Sequence, residues 1–402
     1  MRIAMIGPFG LRPKGTMSVR ALPLARALVT RGHAVRMVLP PWDYPQDAGC
    51  TMQEAGVAIE NIELPAGLPG LFHLTTTRRL VRRALDFQPD VIHCFKPKAY
   101  AGLAAWWLWQ LKRMGRVKAR LIVDTDDWEG AGGWNDDPRA GYSALQRPFF
   151  TWQERYGLSH ADAWTVTSEC LRQRAIGFGA HPDRIFTVHN GAEMASNQLS
   201  ATPALAPERS AGAVASDRPS AIGDPPSAVL YTRFAGTRSA DVAAIWARVR
   251  ERVPGAKLTV VGHGLGGEES GLVGLPGITV QGWVEPTELP DLLRRMAVGI
   301  VPWVDTPSNQ ARHSAKVLEL MAAGLPIVAY AVGELPATLG EAGILVPPGD
   351  ADGFAAAVAA LLAEPGRATR LGIAAQGRVQ THFTWERLAD VALAAYHAAS
   401  GG

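Results

Sequence analysis

Cysteine is scarce in this chain. Cys50, Cys94 and Cys170 are the three among 402 residues, and no two of them fall at a CxxC or other metal-ligand spacing. That excludes a disulfide scaffold and a cysteine-held zinc site, and it suits a reduced compartment. Long apolar runs are missing too, none reaching the roughly 18 residues that a membrane-spanning helix needs. The opening MRIAMIGPFG meets glycine at position 7, too soon for a signal-peptide core. The expectation is a cytoplasmic protein, soluble or resting on the inner face of the membrane. Net charge is also slight, 40 Lys and Arg against 37 Asp and Glu leaving +3. With no basic excess and no recognition motif, nucleic acid is not an expected partner.

What is present, first, is length: enough for two domains of roughly 150 to 200 residues each. The charge is also uneven, since residues 1–195 hold 24 cations against 18 carboxylates. Many of those cations lie between Arg78 and Arg120, around the tryptophan-rich LAAWWLWQLKRMGRVK. Such a stretch reads either as a core helix whose basic end caps its dipole, or as a segment lying on anionic lipid with its tryptophans at headgroup level. Residues 78–120 are therefore the candidate for peripheral contact with an anionic membrane.

Along the chain, strand-like and helix-like patterns alternate. RIAMIG, AVRMVLP, DVIHCF, RLIVD, AWTVTS and RIFTVHNG read as strands, with SVRALPLARALVTRG, LVRRALDF and LRQRAI as helical pieces between them. Composition then shifts to Ala, Ser and Pro over MASNQLSATPALAPERSAGAVASDRPSAIGDPPSA, a linker pattern with little to bury. Beyond it the alternation resumes with AVLYTRF, DVAAIWARVRERV, KLTVVG, ITVQGW, LPDLLRRMA and VGIVPW. The expected architecture is α/β: two Rossmann-like, doubly wound parallel sheets facing across a cleft, with ligands at the carboxyl ends of the strands. The predicted divisions are 1–193 for the first domain, 194–227 for the linker and 228–384 for the second domain. A terminal helix over 385–402 is placed to cross back to the first.

Two short stretches carry chemistry of open meaning. DTDDWEG puts Asp124, Asp126, Asp127 and Glu129 directly behind the apolar run Leu121-Ile122-Val123, which could be a metal clamp, a catalytic base or an acidic loop. GHGLGG, residues 262–267, fits G-x-G-x-x-G after a strand. The long helix and the acid that a nicotinamide site requires do not follow, so its glycines are read as letting backbone turn tightly beside another ligand.

SAKVLELMAAGLPIVAY, residues 314–330, followed by GILVPPGD, residues 343–350, resembles the carboxyl-terminal domain of glycosyltransferase family 4, the retaining, GT-B fold transferases of group 1. That family shows "E-x-M-A-x-G-x-P-V-V" and then "G-x-L-V-x-P-G-D". TRFAGTR stands where the family has "G-R-x-x-x-x-K", QGWVEPTELPDLL is similar to its "F-x-G-x-V-x-x-x-E-L-x-x-L", and THFTWERLA and VHNGAE match further family signatures. The resemblance implies sugar transfer from a nucleotide diphosphate sugar to a glycan, a lipid-linked or a small-molecule acceptor, with retention at the anomeric carbon. It implies no cofactor beyond that co-substrate, and no metal.

By that resemblance Arg233 and Arg238 hold the leaving diphosphate, where fixed cations lower the barrier, and Lys316 adds a third contact. Glu319 accepts the ribose hydroxyls. His313 and Ser314, opening the helix that carries Glu319, offer backbone amides to phosphate or sugar oxygens, while Gly262, Gly264, Trp283 and Val284 complete the donor side. The family's first glutamate, eight positions before Glu319, is replaced by Ala311, a departure that bears on sugar choice and on activity. Gly10, Lys14 and Gly15 belong to the glycine loop near the acceptor, and Lys96 and Lys98 would line the acceptor side with positive charge. Matching "V-x-T-x-H" to VDTDD puts Asp127 at the family's histidine position, beside Asp126. The alternatives are a catalytically silent sugar-nucleotide or glycan-binding protein, and a GT-B epimerase or phosphorylase.

Overall fold

Runs such as Ile3-Ala4-Met5-Ile6 and Val91-Ile92-His93-Cys94-Phe95 are apolar or nearly so without alternation, and every one of these residues is buried. Burial on both faces is the mark of interior parallel strands covered by helices. The computed structural model describes residues 1–13, 15–66, 69–192 and 226–399. Lys14, Glu193 and nearly all of the predicted linker lie outside these described residues.

The chain divides into two compact units. The first comprises Met1–Gly191, Gln310–His313 and Trp385–Gly402, the second Ala192–Asn309 and Ser314–Thr384.

In the first unit the strands are β1 (Arg2–Ile6), β2 (Ala34–Leu39), β3 (Thr51–Glu54), β4 (Val57–Asn61), β5 (Val91–Phe95), β6 (Arg120–Thr125), β7 (Ala163–Val166) and β8 (Ile185–Thr187). They form one sheet in the order β3-β4-β2-β1-β5-β6-β7-β8. All neighbours are parallel except β3 and β4. The β3–β4 hairpin is absent from the sequence reading. Its two-residue turn, Ala55-Gly56, has positive φ at both positions, 46° and 81°, the geometry that Asn-Gly or Asp-Gly normally announces. Alanine there gives no such signal.

The helices of this unit are α1 (Leu22–Thr30), α2 (Pro69–Asp86), α3 (Ala99–Arg113), α4 (Gln146–Gly157) and α5 (Glu169–Gly177). The helix expected from Ser18 onward begins as a π turn over Met17–Ala21 before α1. Pro23, in the first turn of α1, has no N–H to give to the preceding turn, which accounts for the break.

The second unit has β9 (Ser227–Tyr231), β10 (Lys257–Val261), β11 (Ile278–Gly282), β12 (Val298–Val301), β13 (Ile327–Tyr330) and β14 (Gly343–Val346). They form a wholly parallel sheet, β11-β10-β9-β12-β13-β14. Its helices are α6 (Ser239–Arg252), α7 (Leu289–Arg294), α8 (Pro307–Ala311), α9 (Ala315–Ala322), α10 (Leu335–Leu339), α11 (Ala351–Ala363) and α12 (Pro365–His382). Only the last two residues of α8 fall in the first unit.

The last helix, α13 (Trp385–Ala398), belongs to the first unit and buries Trp385, Leu388, Ala389, Ala392, Ala395 and Tyr396 along one face. This i, i+3, i+4, i+7 stripe packs with Ile3, Met5, Leu24 and Leu28 in one apolar cluster. Burial of each large side chain contributes roughly 1.5–3 kcal/mol. Tyr396 also places its hydroxyl 2.8 Å from Nδ1 of His93.

Candidate functional site

Strands β5 and β6 are parallel neighbours with Phe95 opposite Asp124, so the segments leaving their carboxyl ends start side by side. Lys96, the first residue after β5, donates its backbone N–H to Asp124 O at 2.9 Å. Its ammonium lies 2.9 Å from Asp126 Oδ1, 2.8 Å from Asp127 Oδ2 and 2.6 Å from Glu129 Oε1. Lys98 holds the other Glu129 oxygen at 2.8 Å and rests over the Tyr142 ring, 4.3 Å from its centroid. Both lysines are buried. Both predicted acceptor-side lysines, Lys96 and Lys98, are thus ion-paired with the acidic cluster.

The turn that aims them is strained. Lys96 and Ala99 have φ of +62° and +51°, a left-handed conformation that costs a residue with Cβ roughly 1–2 kcal/mol. Gln153, buried on α4, holds the second of these, accepting from the Ala99 N–H and donating to the Ala99 carbonyl, each at 2.8 Å.

The carboxylates are unequal. Burial raises Asp126, and the like charges of Asp127 and Asp124 outweigh enough of the Lys96 attraction to leave it pushed up to about 6. Burial also opposes ionisation of Asp127, but Lys96 and then Arg312 prevail and hold it below the usual carboxylate range. Glu129 is likewise held low against its burial by Lys96 and Lys98. Lys96, Lys98 and Arg312 thus favour the charged forms of Asp127 and Glu129, while burial prevails at Asp126.

Asp124 is not part of this cluster. It is fully buried and accepts from Arg20 through both oxygens, Nε to Oδ1 at 2.9 Å and Nη2 to Oδ2 at 2.6 Å. Thr165 adds a bond of 2.6 Å. Arg20 also donates to the carbonyls of Val188 and His189 and to Asn190 Oδ1. Asp124 with Asp126 is thus no metal-binding pair. Arg20 escaped the sequence reading because it sits inside an ordinary amphipathic helical pattern.

The glycine loop touches the cluster through a residue that the sequence reading did not single out. Thr16 donates its hydroxyl to Asp126 Oδ2 at 2.8 Å. Gly15 N–H donates to Ser18 Oγ at 3.0 Å and Gly10 N–H to Asp43 Oδ1 at 3.4 Å.

Gln310–His313 packs with this first unit. Ala311 is fully buried in its apolar cluster, its carbonyl accepting from Ser168 Oγ at 2.5 Å. A glutamate at this position would put an ionised group into apolar surroundings, which is unfavourable without a partner. His313 was expected at the donor site. Its ring Nδ1 accepts from Asn190 N–H at 3.2 Å and its carbonyl from Asn190 Nδ2 at 2.6 Å. Burial, with His189 and Arg20 nearby, pushes its pKa well down, so the ring is neutral.

In the second unit, the loop from β9 to α6 carries Arg233 and Arg238, both exposed. Asn309 pins this loop by donating to the carbonyls of Gly236, at 3.0 Å, and Val304, at 2.7 Å. A Cβ on Gly236 would lie 2.0 Å from Asn309 Oδ1, so glycine is required there. Phe234, buried between the two arginines in sequence, has φ of +55°, a second strained position beside predicted ligand groups.

Glu319 and Lys316 lie one turn apart on α9, whose first turn is capped by Ser314 Oγ accepting from Val317 N–H. Tyr231, the last residue of β9, hydrogen-bonds to Glu319, and burial followed by that carboxylate drives the phenol pKa upward. The Lys316 ammonium stands 5.4 Å from the Tyr231 ring centroid. Tyr231 was not foreseen, since a tyrosine ending a strand reads as ordinary β composition.

Gly262 has φ of +105°, and a Cβ there would meet Thr232 O at 2.1 Å. Its loop is closed by its own acids, with Gly264 N–H donating to Glu269 Oε2 at 2.8 Å and Gly266 N–H to Glu268 Oε2 at 2.9 Å. The Gly264 and Gly266 amides are thus occupied from within the loop. Trp283 is exposed, its indole donating to Glu285 Oε1 at 3.1 Å, whereas Val284 packs against the core. A separate cavity of about 320 Å³ opens beside β4 and α2, bordered by Asn61, Arg79, Arg82 and Arg83. No predicted site residue borders it.

Residues 15–191 match the sequence profile of the Glycosyl transferase 4-like domain, and residues 239–364 that of the Glycosyl transferases group 1 domain. Glycogen synthase of Mycobacterium tuberculosis is 31% identical over 171 residues, a match that spans 40% of this chain and 40% of that protein's own length. Sucrose-phosphate synthase from Thermosynechococcus elongatus superposes with a TM-score of 0.70 at 22% identity, covering 99% of this chain and 98% of that one. Anabaena HepE in complex with UDP-glucose superposes at 0.65 with 14% identity over 98% and 99%. At such identities the structures speak to fold. The chain belongs to glycosyltransferase family 4, group 1, and its two Rossmann-like sheets are those of the GT-B fold.

Proposed function

We propose that this chain transfers a sugar from a nucleotide diphosphate sugar to an acceptor hydroxyl with retention of anomeric configuration. The observation that carries the reading is the grouping in the second unit, where Arg233 and Arg238 share one pinned loop and Glu319, Lys316 and Tyr231 adjoin on α9 and β9. Two exposed cations suit a diphosphate leaving group, whose developing charge they stabilise. A carboxylate that hydrogen-bonds to a tyrosine suits a pair of ribose hydroxyls. The UDP-glucose complex of HepE, on the same fold, supports this class of donor. Asp127, kept ionised in the first unit, is the carboxylate available to orient the reacting sugar or the acceptor hydroxyl. Incubation with a panel of UDP-, ADP- and GDP-sugars and a range of acceptors tests the reading, with product stereochemistry read by NMR. Retained configuration is expected; an inverted product, or none from any donor, sinks it.

The buried Ala311, in place of an acidic residue, favours one second reading, a sugar-nucleotide-binding protein that does not transfer. Donor-dependent stabilisation without turnover or hydrolysis would decide for it.

For the acceptor we propose a lipid-linked molecule met at an anionic membrane from the cytoplasmic side. Among the described residues no helix is long and apolar enough to cross a membrane. On α3 and α4 and at their ends, however, Trp106, Met114, Leu145, Phe149 and Trp152 are exposed, as are the cations Arg113, Arg116, Lys118, Arg147 and Arg155. Phe149 stacks on Trp152 at 5.7 Å, and Tyr156 on His160 at 4.0 Å. The patch thus sets apolar rings among cations, a pattern that suits lipid headgroups. Flotation with anionic liposomes, lost in salt and absent with neutral lipid, is the expected result.

A further inference from the structure

Asp126, Asp127 and Glu129 bring one carboxylate oxygen each to within 4.8 Å of one another, a separation that could hold a metal ion. The place such an ion would take is filled by the chain itself. The Lys96 ammonium has three N–H donors and lies 2.6–2.9 Å from an oxygen of each of the three acids. These are ammonium-to-carboxylate distances, and two of the three exceed the roughly 2.0–2.6 Å of magnesium or calcium ligands. Lys98, on the second Glu129 oxygen, brings the local positive charge to that of a divalent ion.

The backbone underlines the arrangement. A residue with Cβ stays in the left-handed region only where its surroundings over-determine it, and Lys96 is held there by its amide bond to Asp124 O and by three ion pairs from its side chain. Thr16 fixes the other oxygen of Asp126, and the Thr125 hydroxyl donates to the Asp127 carbonyl at 3.0 Å. The ammonium hydrogen-bonds to Asp127 and Glu129 and lies within ion-pair distance of Asp126 Oδ1.

We infer that Lys96 is a built-in cation standing where a divalent metal would otherwise sit among Asp126, Asp127 and Glu129, and that it is the positioning residue that fixes Asp127 for the proposed transfer. The first part is independent of the catalytic reading; the second rests on it.

The test uses the full chain and its Lys96→Gly variant, glycine being the residue that the +62° backbone tolerates most readily. Isothermal titration with Mn²⁺ and thermal melts with and without it are measured near neutral pH. The wild type is expected to show no saturable Mn²⁺ binding, whereas Lys96→Gly melts lower, binds Mn²⁺ and regains melting temperature on binding. Adding Glu129→Gln to Lys96→Gly should abolish that gain. Saturable Mn²⁺ binding by the wild type that Asp127→Asn removes would overturn the inference, as would a Lys96→Gly chain that does not bind the ion, whether or not it melts lower.

For the positioning role, kcat of Lys96→Gly should fall on the order of a hundredfold, with donor affinity unchanged and part of the loss restored by Mn²⁺. Unchanged kcat would remove the positioning role. Should the wild type transfer no sugar at all, the transferase reading fails while the titration still decides what occupies the cluster.

Discussion

Arg20 and Asp124 form a two-pronged ion pair with no solvent exposure on either side chain. It ties the turn before α1 to the end of β6, and through the carbonyls of Val188 and His189 to the chain leaving β8. Burial opposes both charges, yet mutual attraction holds the Arg20 pKa up and the Asp124 pKa down. A buried pair of this kind need not add stability over an apolar replacement, but losing one partner leaves the other charged and alone. Arg20→Ala should therefore cost about 3–5 kcal/mol in urea unfolding, and Arg20→Met with Asp124→Leu should cost less than either single change. A loss for Arg20→Ala within the error of the melt would contradict this role.

Asp127 sits beside the Lys96 ammonium and Arg312, and is ionised at neutral pH. Asp127→Asn keeps the shape and removes the charge, so kcat should fall by about a hundredfold or more if the group acts on a proton or on developing charge. Donor affinity by calorimetry should stay the same, because the groups proposed to bind the donor belong to the other unit. Unaltered turnover would reduce Asp127 to shaping the loop.

Glu319 is expected to weaken nucleotide-sugar binding on conversion to alanine, by about tenfold or more, the worth of a hydrogen bond to a charged group. Tyr231→Phe removes one hydroxyl that holds the carboxylate and should produce a smaller loss in the same direction. Calorimetric titration of each variant checks both; full affinity in Glu319→Ala would place the nucleotide elsewhere.

The raised pKa of Asp126, about 6, has a definite sign. Above its unfolded value near 4 the native state binds the extra proton, so this group's contribution to stability is present below about pH 4 and is lost as pH rises towards 6. Asp127 and Glu129, with lowered pKa values, act in the opposite sense, their contribution disappearing as pH falls below 4. Urea melts across this range should show a step in wild type that is missing in Asp126→Asn. Parallel pH profiles for the two proteins would show that Asp126 does not titrate there.

Much of the fold could be read from the chain because parallel strands buried on both faces are continuous apolar runs, and glycine or basic residues mark the helix ends. The β3–β4 hairpin could not, since Ala55 adopts a left-handed turn that its identity does not advertise. Arg233, Arg238 and Glu319, the groups proposed for the donor, stand in local motifs that the family resemblance picks out, on one loop and one helix. The partners that fix them, Tyr231 and Asn309, come from other elements and carry no local signal.

DTDDWEG shows the division most clearly. Its composition alone established four carboxylates behind a buried strand, and hence a concentration of negative charge that something must balance. Which charges balance it was decided only by the register of β5 against β6, which sets Lys96 beside the turn after Asp124, and by the packing that brings Arg20 from over a hundred residues away. Pairwise electrostatics act across space at a few ångströms, whereas sequence records only neighbours along the chain. The acidic character was therefore legible, while its separation into a structural Asp124, a strained Asp126 and an ionised Asp127 belongs to the tertiary structure.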